Sequence, residues 1–341
     1  MDIYLGEEKM LEIGKMDSDL LKQIVFGKIT YKRPEVLVRP GIGEDCAVVN
    51  FGDEYNCVMS TDPITAAATD IGRLAIHITC NDIASNGVQP VGIMLAVMLP
   101  YGTTEEDVAM IMEQAGETAA KLHVEIIGGH TEITTAVTKP VIVSTAIGRA
   151  PVGSKNSSDN MKVGDHILIT KRVGIEGAGI IASDLEDQLV DVLTVEELAK
   201  AKSFLNEVSV VKEGIVAGEI GTNGMHDVTE GGVLGAVYEM AAISDCGVEI
   251  YKDKILVDDV TLKIADKFNI DYMRLISSGC MLIVAAEDKK DEIMKAVKDA
   301  GIDISDIGTI TEKEKGLKLI DNGNVYEIDP PAGDELYKAV K

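Results

Sequence analysis

The spacing of apolar residues predicts helices and strands that alternate along the chain. Apolar residues recur at helical spacing over 16–26 and 71–85, and a third helix is expected over 104–122. Thr104 suits the start of the third helix because Asp107 stands three residues later, in the capping-box position. Short apolar runs between these helices predict strands at 46–51, 56–60, 91–99, 124–127 and 141–147.

The second half of the chain repeats this mixture of elements. A strand is expected at 166–170, followed by helices at 176–183, 195–204, 207–217 and 231–243. A later helix is expected at 289–300, with strands at 248–250, at 281–285 and near Ile307 and Leu317. Residues 151–165 are rich in Gly, Ser, Asn and Lys and predict a boundary between two domains, 1–155 and 156–341. Since both halves mix strands and helices, the predicted fold class is α/β (α+β).

The composition narrows the classes of function. The 341 residues include 57 Asp and Glu against 32 Lys and Arg, which gives a formal net charge of −25. A surface of this sign repels phosphate backbones and anionic lipid, so we expect no role on nucleic acid or at a membrane. It would also repel ATP unless a divalent cation lies between them. The simpler interpretation is that the acidity serves solubility.

Cysteine usage and the N-terminus predict a cytoplasmic protein. Five cysteines are spread along the chain without a CxxC pair, which fits a reducing compartment and neither a disulfide framework nor a zinc site. The N-terminal MDIYLGEEKM has no basic segment followed by an apolar one, so no signal peptide is expected. The longest apolar stretch, 88–99, contains Gln89 and Pro90 and is too short to span a bilayer.

The helix predicted at 71–85 carries the first candidate site. Its apolar stripe begins at Ile71 and continues, at the same spacing, through Asn81 and Asp82. A carboxylate on the core-facing side of a helix is costly unless a cation or a metal ion pairs with it. Asp82 is therefore a candidate metal ligand. The alternative is that the helix end leaves the core and Asp82 is solvated.

Two more acidic positions flank predicted strands. Asp62 lies in STDP, directly after the strand at 56–60, where a strand end would fix a metal ligand and leave it open. An Asp before a Pro is also a common turn opener. Asp45 lies in GED, where Gly43 would let a ligand approach the backbone and the acids could hold Mg²⁺. For GED alone, the alternative is a plain surface loop.

Two glycine-containing segments could approach phosphates. In GGHTE, Gly128 and Gly129 follow a predicted strand and suit a phosphate-binding loop, which makes His130 and Glu132 candidates for acid/base or ligand roles. The alternative is a tight turn and a polar strand. The segment MHDVTEGG, 225–232, could open a helix whose N-terminus attracts an anion, or it could be ordinary capping. The chain contains no GxxxxGK[ST], so it is not a P-loop protein.

The order of these motifs resembles one known superfamily. The motifs run GIGEDCAVV, STDP, DIGRLAIHITCNDIASNGVQP, IIGGHTE, MHDVTEGG and SSGCML. This series is similar to that of aminoimidazole-ribonucleotide (AIR) synthetase, thiamine-monophosphate kinase, selenophosphate synthetase and the hydrogenase maturation factor HypE. The resemblance covers nearly the whole chain and is closest to HypE-like proteins. The ND-x-A-x-x-G-x-x-P segment is its most specific part.

The resemblance implies two AIR-synthetase-like domains, with the N-terminal domains pairing in a homodimer and ATP bound with Mg²⁺ in a cleft. By match to the motifs, it implies metal ligands at Asp45, Asp62 and Asp82. It implies nucleotide contacts at Gly43, Thr61, Asn81, Gly128, Gly129 and Asp227. Metal ions held there would offset the carboxylates and make a triphosphate acceptable to an acidic protein.

The sequence therefore predicts a Mg²⁺-dependent, ATP-binding enzyme that transfers a phosphoryl group to an oxygen of its acceptor, with His130 or Glu132 orienting that acceptor. The acceptor is expected to be a small molecule or a carboxamide-type group on a protein. Unlike HypE, the chain has no cysteine after Cys280, so chemistry on a cysteine tail of its own is not expected. Two alternatives stay open: a catalytically reduced, ATP-sensing partner in hydrogenase maturation, and a structural dimer that keeps only the fold.

Overall fold

Two β-sheets organise the chain, one on each side of the predicted boundary segment. The computed structural model describes residues 18–19, 22, 26, 31, 33–65, 69–154, 158–331 and 333–340. Most of the helix predicted at 16–26 lies outside these residues. The two-domain α/β architecture is confirmed, while the division at 155/156 stays a prediction. No helix among the described residues is both long and apolar enough to cross a membrane.

The first sheet has six strands in the order β1-β2-β3-β6-β4-β5. They are β1 (Val36–Val38), β2 (Ala47–Asn50), β3 (Tyr55–Ile64), β4 (Pro90–Pro100), β5 (Glu125–Thr134) and β6 (Val141–Pro151). Neighbouring strands are antiparallel except β4 and β5, which are parallel. Parallel neighbours need a crossover, which helix α2 (Glu105–Leu122) provides. Edge strand β5 therefore follows α2 in the chain.

Helix α1 (Ile71–Ser85) lies between the first sheet and the second half of the chain. It contacts β3 and β6 on one side and α5 (Val211–Ile220) on the other. Thirteen of its fifteen residues are buried, so the helix end does not emerge into solvent. The predicted bounds of α1 are confirmed. The predicted cap of α2 is confirmed too, because Thr104 and Asp107 form a capping box.

The second sheet has seven strands in the order β13-β12-β9-β11-β7-β10-β8. The strands are β7 (His166–Thr170), β8 (Gly224–Asp227), β9 (Gly247–Tyr251), β10 (Met281–Ala285), β11 (Ile304–Thr311), β12 (Leu317–Asp321) and β13 (Asn324–Glu327). Besides α5, the helices are α3 (Ile175–Asp184), α4 (Val195–Ser203), α6 (Gly232–Ser244), α7 (Asp259–Phe268), α8 (Lys290–Asp299) and the short α9 (Leu336–Ala339).

Both faces of the second sheet are covered at β10, which explains the unbroken apolar run of this strand. Met281 and Ile283 pack into a core shared with α1 and α5, whereas Leu282 and Val284 pack into a second core under α6. A strand buried on both faces has no polar side to show, so its sequence lacks alternation. The pattern of the sequence predicted neither β8 nor α7. The predicted start of α5, residue 207, is too early: Phe204–Asn206 forms a 3₁₀ turn, and the helix begins only at Val211.

Candidate functional site

A cleft of about 730 Å³ lies where the two halves of the chain meet. Its walls come from the loop before β2, the end of β3, the inner side of α1, the end of β8 and the first turn of α3. Segments far apart in the sequence therefore share one concave surface. The volume is within the range that small-molecule ligands occupy in proteins, roughly 300–1,000 Å³.

Four aspartates from four separate segments line this cleft. Asp45 precedes β2, Asp62 lies in β3, Asp82 lies in α1 and Asp227 ends β8. Burial raises the pKa of Asp82 well above its usual range, and the carboxylates of Asp62, Asp227 and Asp45 raise it further. Asp82 is thus close enough to the other three carboxylates for them to disfavour its charge in the absence of a cation.

The carboxyl group of Asp82 is held by neighbouring polar groups. The Ser60 hydroxyl donates a hydrogen bond to its Oδ2 at 2.5 Å, and Asp62 shares a further hydrogen bond with it. Ser60 and Asp62 point from β3 towards α1, which fixes the distance between the sheet and the helix at this place. The solvated alternative for Asp82 is therefore wrong: the side chain is 7% exposed and faces other carboxylates.

A buried histidine, which the sequence analysis did not single out, lies against this cluster. His226 in β8 places its Nδ1 2.8 Å from a carboxylate oxygen of Asp45 and its Nε2 3.0 Å from Oε2 of Glu239 in α6. Burial alone would lower the pKa of His226, but the carboxylates of Asp45 and Glu239 outweigh it and raise that pKa well above its usual value. Nitrogen and carboxylate oxygen atoms of His226, Asp45 and Asp227 lie within 4.8 Å of one another, so these three residues could hold a metal ion.

A second group of polar residues lines the cleft from the C-terminal half. Glu176 in the first turn of α3 is buried, and its Oε2 accepts a hydrogen bond from the backbone N–H of Ser278 at 3.1 Å. Burial raises the pKa of Glu176 to about 7. Glu230 and Tyr337 lie on the same side, where the Tyr337 hydroxyl donates a hydrogen bond to Glu230 at 3.2 Å. Glu176 was not among the site residues predicted from the sequence.

Gly43 and Thr61 also line the cleft. Gly43 has φ +74°, and a Cβ atom there would come within 2.6 Å of Ile243 Cδ1, so the loop can lie against α6 only with glycine at this position. The Thr61 hydroxyl lies 3.0 Å from the carbonyl oxygen of Ser144, to which it donates, and 2.9 Å from the Thr145 hydroxyl. Both positions are therefore fixed by neighbouring elements and open on one side to the cleft.

Asn81 lies elsewhere, in the core between the halves. Its Nδ2 donates to the carbonyl oxygen of Val208, and its Oδ1 accepts from the backbone N–H of Val210, each at 2.8 Å. The side chain is completely buried and is not among the residues that line the cleft. The Asn81 side chain therefore connects α1, through two hydrogen bonds, to the segment that leads into α5.

The GGHTE segment lies within β5 and does not form a loop, which corrects that part of the sequence analysis. Gly129 pairs with Leu95 of β4, and a Cβ atom on it would come 2.0 Å from the Leu95 carbonyl oxygen. Gly128, His130 and Glu132 are exposed on this edge strand, and no residue of β5 is among the described residues that line the cleft. An acceptor-orienting role for His130 or Glu132 stays a prediction.

Comparison with known proteins identifies the family. The model of the AIR synthase related protein N-terminal domain matches residues 43–150, and that of the C-terminal domain matches residues 162–320. A putative hydrogenase expression/formation protein of Methanocaldococcus jannaschii is 28% identical over 95% of this chain and 96% of its own length. Carbamoyl dehydratase HypE of Escherichia coli is 26% identical over 76% of this chain and 75% of its own length.

Solved structures agree on the fold. The HypE–HypF complex contains a chain that superposes with a TM-score of 0.74 at 23% identity, covering 92% of this chain and 99% of that one. HypE in complex with ATP superposes with a TM-score of 0.71 at 19% identity, covering 94% and 96%. Both family domains, in order and over most of the described chain, show that this protein belongs to the AIR synthase related family.

Proposed function

We propose that this protein is a Mg²⁺-dependent enzyme that uses ATP to phosphorylate an oxygen of its acceptor. The observation that carries the proposal is the convergence of four aspartates, distant in the sequence, on one wall of a cleft of nucleotide size. Structural carboxylates are normally paired with Lys or Arg, whereas these are packed against one another and against a histidine. The solved HypE structure that contains ATP adds support, since it shares the fold.

The donor set fits Mg²⁺. Asp45, Asp62, Asp82 and Asp227 offer carboxylate oxygens, the ligands that this hard cation prefers. Burial, and then the neighbouring carboxylates, raise the pKa of Asp82, and a bound cation would offset both effects. Bound Mg²⁺ would supply neutralisation of the charge on the phosphates. We assign metal binding to Asp45, Asp62 and Asp82 and place Asp227 facing the phosphates.

The remaining residues position these carboxylates. Ser60 orients Asp82 by its hydrogen bond, and His226 orients Asp45 from the opposite side. Gly43 leaves the loop backbone open to a nucleotide, and Thr61 presents its hydroxyl at the end of β3. Since phosphoryl transfer needs little covalent help, this positioning is the main task of the site. Two acceptor classes belong to the proposal: a small molecule, and a carboxamide-type group on a protein, the latter because relatives are named carbamoyl dehydratases.

Nucleotide binding tests the proposal directly. By calorimetry, we expect ATP to bind in the presence of Mg²⁺ and to bind at least about tenfold more weakly with EDTA, because the unshielded carboxylates repel a triphosphate. Asp62→Asn should remove most of the Mg²⁺ dependence. Asp191→Asn is the matched control, since Asp191 pairs with Lys267 on the surface. An affinity for ATP that changes neither with Mg²⁺ nor with Asp62→Asn would contradict the assignment of the site. Absence of ATP binding would favour a protein that keeps only the fold.

We also propose that the protein is a homodimer formed through the first sheet. Val91 and Met94 of β4 and Ile127 and Ile133 of β5 are each about half exposed, which leaves an apolar area on a sheet whose other face is covered. A second copy of the chain would cover this area and the free edge of β5.

Light scattering tests the dimer. The wild type should have the mass of a dimer, and the double variant Met94→Glu, Ile127→Glu should have the mass of a monomer, because two buried charges would oppose association. Val195→Glu, at an exposed position, is the control and should stay a dimer. A monomeric wild type would refute the dimer.

A further inference from the structure

Two buried carboxyl groups of the C-terminal half lie near each other but have different surroundings. Asp334 accepts hydrogen bonds from three backbone N–H groups, those of Gly231, Ile276 and Leu336, at 2.7, 3.2 and 2.8 Å. It does not line the cleft, so it belongs to the scaffold. Glu176 accepts from one backbone N–H, that of Ser278, and lines the cleft. Of the two, only Glu176 is placed to meet a ligand.

We propose that Glu176 contacts the phosphoryl acceptor in the cleft and takes the proton from its nucleophilic hydroxyl group. This inference rests on the proposed function, takes the acceptor to be a small molecule that carries a hydroxyl group, and adds a catalytic residue. Two elements hold Glu176 in place: the first turn of α3, and the segment before β10 that carries Ser278. Its carboxylate lies at the N-terminal end of α3, where the helix dipole favours negative charge.

A buried hydroxyl supports a ligand at this place. Ser278 lines the cleft and is 1% exposed, and its Oγ makes no well-aligned hydrogen bond to any described residue. The hydroxyl is nevertheless near enough to the Glu176 carboxyl to lower its pKa. A buried hydroxyl whose contact with a carboxyl group is poorly aligned costs free energy that a better-aligned ligand would recover. Glu176 and Ser278 therefore form a pair of groups that an acceptor hydroxyl could satisfy.

The electrostatic surroundings suit a base. The charged groups that face Glu176 are Asp334, in the segment before α9, and Glu230, in the turn before α6. Burial, together with these two carboxyls, raises the pKa of Glu176 to about 7, against the lowering effect of Ser278. A general base works best when its pKa is near the working pH, because it is then both deprotonated and able to accept a proton.

The step balances without a further reactant. A lone pair of the acceptor oxygen forms a bond to the γ-phosphorus of ATP, and the bond from that phosphorus to the β,γ-bridging oxygen breaks. ADP leaves with the bonding electron pair, and the acceptor's hydroxyl proton moves to the Glu176 carboxylate. Because Glu176 and Glu230 face the same side of the cleft, the acceptor class that fits is a neutral hydroxyl compound; a second phosphate there would face two carboxylates.

Hydrolysis of Mg·ATP, with water as the acceptor, tests this assignment. The wild-type rate should rise with pH through a midpoint near 7, as Glu176 loses its proton. Glu176→Gln should lower the rate by about 100-fold or more and abolish the midpoint, since an amide accepts no proton at these pH values. Calorimetric affinity for Mg·ATP should change less than about threefold, since Glu176 is assigned to the acceptor.

Two further variants separate catalysis from folding. Ser278→Ala should move the midpoint to higher pH, because its hydroxyl lowers the pKa of Glu176. Glu186→Gln, in an exposed ion pair with Lys202, should leave rate and midpoint unchanged. A midpoint that survives Glu176→Gln, or a wild-type rate that is flat across this pH range, would overturn the assignment. Loss of Mg·ATP binding in the wild type would instead refute the proposed function.

Discussion

Replacing Asp82 with asparagine is expected to abolish Mg²⁺-dependent ATP turnover and, at the same time, to stabilise the metal-free protein. The side chain is buried with three other carboxyl groups, and burial and repulsion raise its pKa. Asparagine replaces the carboxyl group with a neutral amide and retains the shape of the side chain. It also removes a metal ligand, and loss of a ligand of this kind is expected to cost at least about 100-fold in turnover. One substitution therefore moves stability and activity in opposite directions.

Denaturation in urea at pH 7.5 measures the first part of this prediction. With EDTA, Asp82→Asn should raise the free energy of unfolding by about 1–3 kcal/mol, within the usual range of a single substitution, because the amide carries no charge that burial or the neighbouring carboxylates would penalise. With Mg²⁺, the order should reverse, because only the wild type gains the free energy of metal binding. Asp184→Asn serves as the control, since Asp184 accepts a hydrogen bond from Thr69 at the surface. If Mg²⁺ stabilised Asp82→Asn as much as it stabilises Asp184→Asn, Asp82 would not be a metal ligand.

Local order was predictable from the sequence because local chemistry sets it. The apolar stripe of α1 lies within a single helix and the capping box of α2 within one turn, and both appear where they were expected. The same stripe correctly placed Asp82 on the buried side of α1. In contrast, the convergence of Asp45, Asp62, Asp82 and Asp227 could be inferred only from the order of motifs in a known superfamily.

The remaining features depend on pairing between distant segments. His226 contacts Asp45 across 181 residues, and no periodicity near either residue signals that contact. The only signal was a histidine next to an aspartate already singled out. Two glycines in succession suggested a loop at 128–129, yet the strand continues because β4 lies alongside and Gly129 allows the close approach. Both cases show tertiary contacts overriding what a short window of sequence favours.

Replacing His226 with glutamine is expected to destabilise the metal-free protein by about 3–5 kcal/mol, the usual cost of removing one partner from a buried ion pair. Glutamine is neutral, so the carboxylates of Asp45 and Glu239 would lose the imidazolium that lies between them. The double variant with Glu239→Gln should recover part of the loss, because it removes one of those carboxylates. His123→Gln, a histidine at the C-cap of α2, is the control.

The pH dependence of this effect follows from the direction of the pKa shift. The pKa of His226 is raised in the folded protein, so its stabilisation is complete below the unfolded value of about 6.5 and is lost as pH rises through the folded value. The gap in unfolding free energy between wild type and His226→Gln, measured in urea with EDTA, should therefore be widest near pH 6 and narrow at alkaline pH. A gap that widened with rising pH would mean that His226 is neutral in the fold. Asp45 would then be held by a neutral hydrogen bond, and the acidic wall of the cleft would carry one more uncompensated charge.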